Sequence, residues 1–110
     1  MNDLNSVIIE GVVKGEPHYE EQVGVLDFTI ETTRYYKNRE GELVLESSQF
    51  KVVCFGAMAT YHSSLEEGKN LRIVGRLKLS KWESDGVTHS EVQVVAEHIE
   101  VMGGTNGKKS

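Results

Sequence analysis

Apolar and polar residues alternate one for one through several stretches of this chain, and a period of two is the signature of strands. Leu26, Phe28, Ile30 and Thr32 alternate with Asp27, Thr29, Glu31 and Thr33, which predicts a strand with one buried and one wet face. Leu71, Ile73, Leu77 and Leu79 share a second such face, interrupted by Gly75, and are expected on a core side; Arg72, Val74, Arg76, Lys78, Ser80 and Trp82 lie opposite. The run Val7-Ile8-Ile9-Glu10-Gly11-Val12-Val13 is apolar on nearly both sides, as is the neighbourhood of Val52, Val53, Cys54 and Phe55. A last strand runs from His89 to Val101, and its pattern changes phase between Val94 and Val95, which predicts a bulge. One segment has helical spacing: Met58, Tyr61, His62 and Leu65 recur at i, i+3, i+4 and i+7 across Ala57–Glu67, with Gly68 as the stop. Glu16-Pro17, Asn38-Arg39-Glu40-Gly41 and Ser84-Asp85-Gly86 read as turns. Three strands, one short helix and two more strands is the order of the OB-fold, an all-β, five-stranded Greek-key barrel.

With 110 residues the chain has room for one such domain, assigned to residues 1–103, and the polar, Gly-rich residues 104–110 read as a short flexible tail. The single cysteine, Cys54, excludes an internal disulfide and points to a reducing compartment. There is no apolar run of the ~20 residues a membrane span needs, and the first residues lack the pattern of a signal peptide, so a cytoplasmic protein is expected. The four histidines have no metal-ligand spacing, no phosphate-cradling glycine motif occurs, and no Ser/His/Asp constellation is discernible. No catalytic residue, metal site or cofactor is therefore assigned.

The net charge of −5 is at first sight wrong for a nucleic-acid partner, because phosphate binding rests on positive charge. The charge is unevenly spread. Between Lys69 and Trp82 stand Lys69, Arg72, Arg76, Lys78 and Lys81 with no acid among them. The face carrying Arg72, Arg76 and Lys78 ends in Trp82, and Lys51, Val53 and Phe55 repeat the base-plus-aromatic pattern on another strand. Cations for phosphates interleaved with flat apolar faces for bases are what sequence-tolerant single-strand binding requires. Tyr35-Tyr36, between Arg34 and Lys37, is a further cluster of this kind.

The segments Phe28-Thr29-Ile30-Glu31-Thr32-Thr33, Val52-Val53-Cys54-Phe55-Gly56, Val74-Gly75-Arg76-Leu77-Lys78-Leu79-Ser80-Lys81-Trp82 and the opening Leu4-Asn5-Ser6-Val7-Ile8-Ile9-Glu10-Gly11 resemble the bacterial single-stranded DNA-binding protein family in order and spacing, over residues 4 to 103. The resemblance implies an OB-fold assembled as a homotetramer, nucleoid-associated, that wraps single-stranded DNA during replication, recombination and repair. It implies base stacking on Trp82, Phe55 and Tyr36, and phosphate contacts from Arg72, Lys78, Lys81 and Lys51; the pattern of cations beside aromatics adds Arg76, Arg34 and Lys37 as expected phosphate contacts. Gln49 stands where some members carry a further stacking tryptophan, and Phe50 beside it has the opposite strand parity; Glu66-Glu67 replace bases common before the helix-ending glycine. Members usually continue to an acidic, hydrophobic tip that recruits replication proteins. Here the sequence ends in Lys108-Lys109-Ser110, so recruitment through such a tip is not expected. The alternative is a primosomal replication-restart accessory of the same fold, which the ending Ala96-Glu97-His98-Ile99-Glu100 would also suit; Trp82 and Phe55 favour the strand-binding family.

Overall fold

The alternation is realised in five long strands, seen in a computed structural model that describes residues 2–103. They are β1 (Val7–Glu20), β2 (Val25–Lys37), β3 (Leu43–Phe55), β4 (Asn70–Ser84) and β5 (Val87–Val101), with one helix, α1 (Gly56–Tyr61), between β3 and β4. They close into a barrel in the order β1-β2-β3-β5-β4. All pairs are antiparallel except β3 with β5, which meet in parallel over two rungs, Val52 opposite Val94 and Val53 opposite Val95. This is the OB-fold arrangement that the order of elements predicts. The tail expected over 104–110 lies outside the described residues.

The inward parity of each strand supplies the core: Val13 from β1, Leu26, Phe28 and Ile30 from β2, Val52 and Cys54 from β3, Leu71 and Ile73 from β4, and Val94, Ala96 and Ile99 from β5. Ala59 of α1 plugs one end. Burial removes Cys54 from water and pushes its thiol up from 9.0 to about 11, because the thiolate would lose its hydration. Its folded value lies above its unfolded one. Its contribution to stability is therefore complete below pH 9 and is lost as the pH rises through the folded value near 11. At pH 8 the native thiol should stay silent towards a thiol reagent such as DTNB and react at once in denaturant; rapid native labelling would refute the placement.

Four local expectations change. The helix covers Gly56–Tyr61, not Ala57–Glu67. Ser63 and Ser64 favour turns over helix interiors, so Leu65 reaches the core from the turn beyond α1, and Tyr61, expected on the core side, is exposed. Glu16-Pro17 does not end a strand; β1 runs on to Glu20 through an irregularity between Lys14 and His18, and the turn comes at residues 21–24, where the Gly24 amide donates to the Glu20 carbonyl at 2.9 Å. The bulge of β5 falls at Glu97, where the pairing jumps from Val74–His98 to Gly75–Ala96, rather than between Val94 and Val95.

The fourth change matters most for the site. Leu77 and Leu79 have core parity but are exposed. Barrel closure covers Leu71, Ile73 and Gly75 of β4 and reaches down β5 to Val94, opposite Leu77; beyond that rung β4 and β5 run on as a free two-stranded ribbon, held in register down to the Ser84–Val87 pair and the turn at Asp85 and Gly86. The β2–β3 hairpin projects similarly, paired from Val25–Phe55 out to Lys37–Leu43, and its tip is tied by Asn38, whose side chain accepts from the Glu42 amide at 2.9 Å. A side chain ahead of β1 tethers the base of the β4–β5 ribbon from outside. The Asn5 amide side chain donates to the Leu77 carbonyl at 2.8 Å and accepts from its N–H at 2.9 Å, continuing the β1–β4 ladder by one side-chain rung.

Candidate nucleic-acid interface

Strand register decides which of the sequence-predicted residues meet. On the outward face of β2, β3, β5 and β4, Asp27 lies opposite Val53, Val53 beside Val95, and Val95 opposite Arg76. One step along, the same parity carries Lys51 on β3 and, paired across β5 and β4, Gln93 and Lys78. Val53 and Val95 are buried although they point away from the barrel interior, so they form an apolar floor between flanking cations. Phe55 closes one end of the surface on β3 and Trp82 the far end on β4; both are about half exposed, 48% and 46%. Five expected residues thus share one continuous face: Lys51, Phe55, Arg76, Lys78 and Trp82.

Arg72 has the same parity but sits at the β1 side, where the Glu10 carboxylate binds its guanidinium and Glu100 lies 3.8 Å away. The hydrogen bond and charge of Glu10 hold its pKa above the ordinary arginine value. Lys81 has the opposite parity, beside Leu79 and facing Ser90. On the β2–β3 ribbon, Arg34 and Tyr36 pair with Glu46 and Val44 on the inward-parity face, together with Phe50, whereas Lys37 is on the outward side with Tyr35 and Leu45. Tyr36 is therefore not on the face of Phe55 and Trp82. Gln49 keeps the outward parity and donates to Glu31 at 3.3 Å, so no aromatic fills that position.

Two features escaped the sequence. First, several of the cations already have carboxylate neighbours: Lys51 with Asp27 at 3.7 Å, Arg76 with Glu97 at 3.5 Å, Arg34 with Glu46 at 4.0 Å, and Arg72 as above. Among the described residues, Lys37, Lys78 and Lys81 have no such ion pair. Second, Trp82 is stacked on His89, ring centroids 5.5 Å apart and planes 19° from parallel. Counting outward from the Asp85-Gly86 turn would have found this pair, since a two-residue turn puts Ser84 opposite Val87 and hence Trp82 opposite His89.

A surface of aromatics and cations on an OB barrel is suited to a flexible polyanion with flat faces. The single-strand binding protein family matches residues 4–102. The chain belongs to this family. It is 33% identical over 108 residues to a single-stranded DNA-binding protein of Aquifex aeolicus, which covers 94% of this chain and 74% of that protein. The wild-type single-stranded DNA-binding protein of Thermus aquaticus superposes with a TM-score of 0.76 at 30% identity, covering 92% of this chain but only 51% of its own. This chain thus spans about half the length of that relative. The SSB of Plasmodium falciparum, in a complex with ssDNA, superposes with a TM-score of 0.81 at 18% identity over 94% of this chain and 98% of its own, and shares the fold. Single-strand binding proteins are binders and not enzymes. Among the described residues no cluster of His, Cys, Asp and Glu could hold a metal, and no helix is long and apolar enough to cross a membrane.

Proposed function

We propose that this chain binds single-stranded DNA without sequence preference and protects and organises it in the cytoplasm, at the nucleoid, during replication, recombination and repair. One observation carries the reading: register brings Lys51, Arg76 and Lys78 onto the same outward face as Phe55 and Trp82, around the apolar floor of Val53 and Val95. Phosphates run along the cations while bases stack on the rings. Arg34 and Tyr36 serve only a strand that passes round the β2–β3 ribbon, and Lys37 and Lys81 only one that reaches the ribbon tips. The test is a titration with oligo(dT) against a duplex of equal length. Tight binding of the single strand alone is expected; equal affinity for both, or none for either, would overturn the proposal in favour of a protein-assembly role such as the primosomal one.

The ion pairs make a sharper expectation. Because Glu97 competes with phosphate for Arg76, Glu97→Gln should raise affinity for oligo(dT) about two- to threefold at low salt, an advantage that fades as salt screens the exposed pair. Unchanged low-salt affinity would remove Arg76 from the phosphate track. Affinity itself should fall steeply with salt, as bound cations release condensed counterions.

Assembly as a homotetramer is part of the proposal. The outward side of β1 exposes Ile8 (72%) and Val12, more apolar surface than one barrel uses, and closed symmetry would cover it. Sedimentation equilibrium should give four chains at micromolar concentration. A monomer would refute it.

A further inference from the structure

We infer that His89 is a positioning residue for Trp82, backing one face of the indole so that it accepts a single base on the other. The inference rests on the stacking role proposed above for Trp82. Both side chains stand on the outward face of the β4–β5 ribbon beyond the barrel, where no core packing fixes a ring. An indole there, tethered through two rotatable bonds, would sample several orientations and lose that freedom when a base binds. The cross-strand imidazole removes the freedom in advance. At 5.5 Å and 19° it lies offset and nearly parallel to the indole, the arrangement aromatic pairs prefer. It also shields one indole face, leaving the stack His89–Trp82–base with the nucleobase as the outer layer. An indole so backed cannot be sandwiched between two bases, so each chain orders one nucleotide at this point.

Register makes the pair dependable. Trp82 and His89 are directly opposed on the third rung from the turn, and the ladder continues unbroken to Gly75–Ala96, so replacing the imidazole leaves the backbone frame in place. His89 is exposed and buries nothing in the core, so its loss should lower Tm by only the few degrees that one surface aromatic pair contributes.

The experiment measures oligo(dT) affinity of the full chain and four variants: His89→Ala, His89→Phe, Trp82→Ala and the double alanine. His89→Ala should bind about three- to tenfold more weakly, the cost of ordering one freed side chain on binding. His89→Phe, which keeps a flat ring without the imidazole nitrogens, should bind within about twofold of the parent. In the Trp82→Ala background, removing His89 should cost nothing further. Acrylamide should quench Trp82 more efficiently in DNA-free His89→Ala than in the parent, because both indole faces are then open. If Trp82→Ala weakens binding while His89→Ala binds as the parent does, the positioning role is wrong and the proposed function stands. If Trp82→Ala also binds like the parent, the stacking reading itself falls. An equal loss from His89→Ala in both backgrounds would mean that the imidazole contacts DNA itself, and would overturn the inference, as would failure of phenylalanine to rescue.

Discussion

Trp82→Ala should weaken binding of single-stranded DNA by about tenfold or more per site while leaving the fold intact. The indole is half exposed near the end of a ribbon that contributes nothing beyond Val94 to the core, so its removal opens no cavity. Its loss deletes one stacking platform, worth roughly 1–3 kcal/mol per base, and every base has a flat face, so the loss should be similar for any sequence. Trp82 is also the only tryptophan. Intrinsic fluorescence should therefore be quenched strongly when oligo(dT) binds, with no second indole to dilute the signal. A ring packed as a structural element of the ribbon gives the opposite pair of results: unchanged fluorescence on adding DNA, and a variant with lowered Tm and ordinary affinity.

The second large effect concerns the barrel. Gly75→Ala should destabilise the protein by about 3 kcal/mol or more, since overpacking against an unyielding neighbour costs at least the upper end of the usual 1–3 kcal/mol. Gly75 is buried where β4 crosses close over β5 at the bulge. A β-carbon there would lie 3.0 Å from the carbonyl carbon and closer still to the carbonyl oxygen of Val95, and 3.2 Å from the α-carbon of Ala96. All of these are backbone atoms, which cannot swing aside as a side chain tip can. For a domain of this size the loss corresponds to a fall in Tm of about 10–20 °C. A melting temperature within about 2 °C of the parent would show that the strands can part there at little cost.

The same glycine marks the limit of what the sequence reveals. Strands, two of the three turns and the place of the helix were legible because alternation and turn chemistry are local properties; at Glu16-Pro17 β1 runs on regardless. The β4 parity, however, runs on past Gly75 to Leu77 and Leu79 while the barrel does not cover them. What covers Ile73 and not Leu77 is closure by the other strands, a non-local fact that no periodicity of β4 contains. The site divides in the same way. Parity alone placed Arg76, Lys78 and Trp82 on one face of β4, and Lys51 with Phe55 on one face of β3. That the two faces are continuous follows from the short parallel seam between β3 and β5. Tyr36 failed to join them because adjacent tyrosines on a strand point to opposite sides, and family position does not say which side the barrel's outer surface continues. The acidic partners were hidden for a related reason: Glu10, Glu97 and Asp27 are remote in sequence from Arg72, Arg76 and Lys51, and only register brings them together.

Those ion pairs bear on selectivity among polyanions. A ligand that offers charge alone, such as inorganic polyphosphate or a sulfated polysaccharide, must displace Asp27 and Glu97 from their cations and gains little beyond exchanging one anion for another. A single strand brings nucleobases in the same event, and their stacking supplies what the exchange of anions does not. The acidic neighbours thus lower the return on charge density alone, so that for a chain carrying a net charge of −5 unpaired bases would weigh more than phosphate in the choice between polyanions.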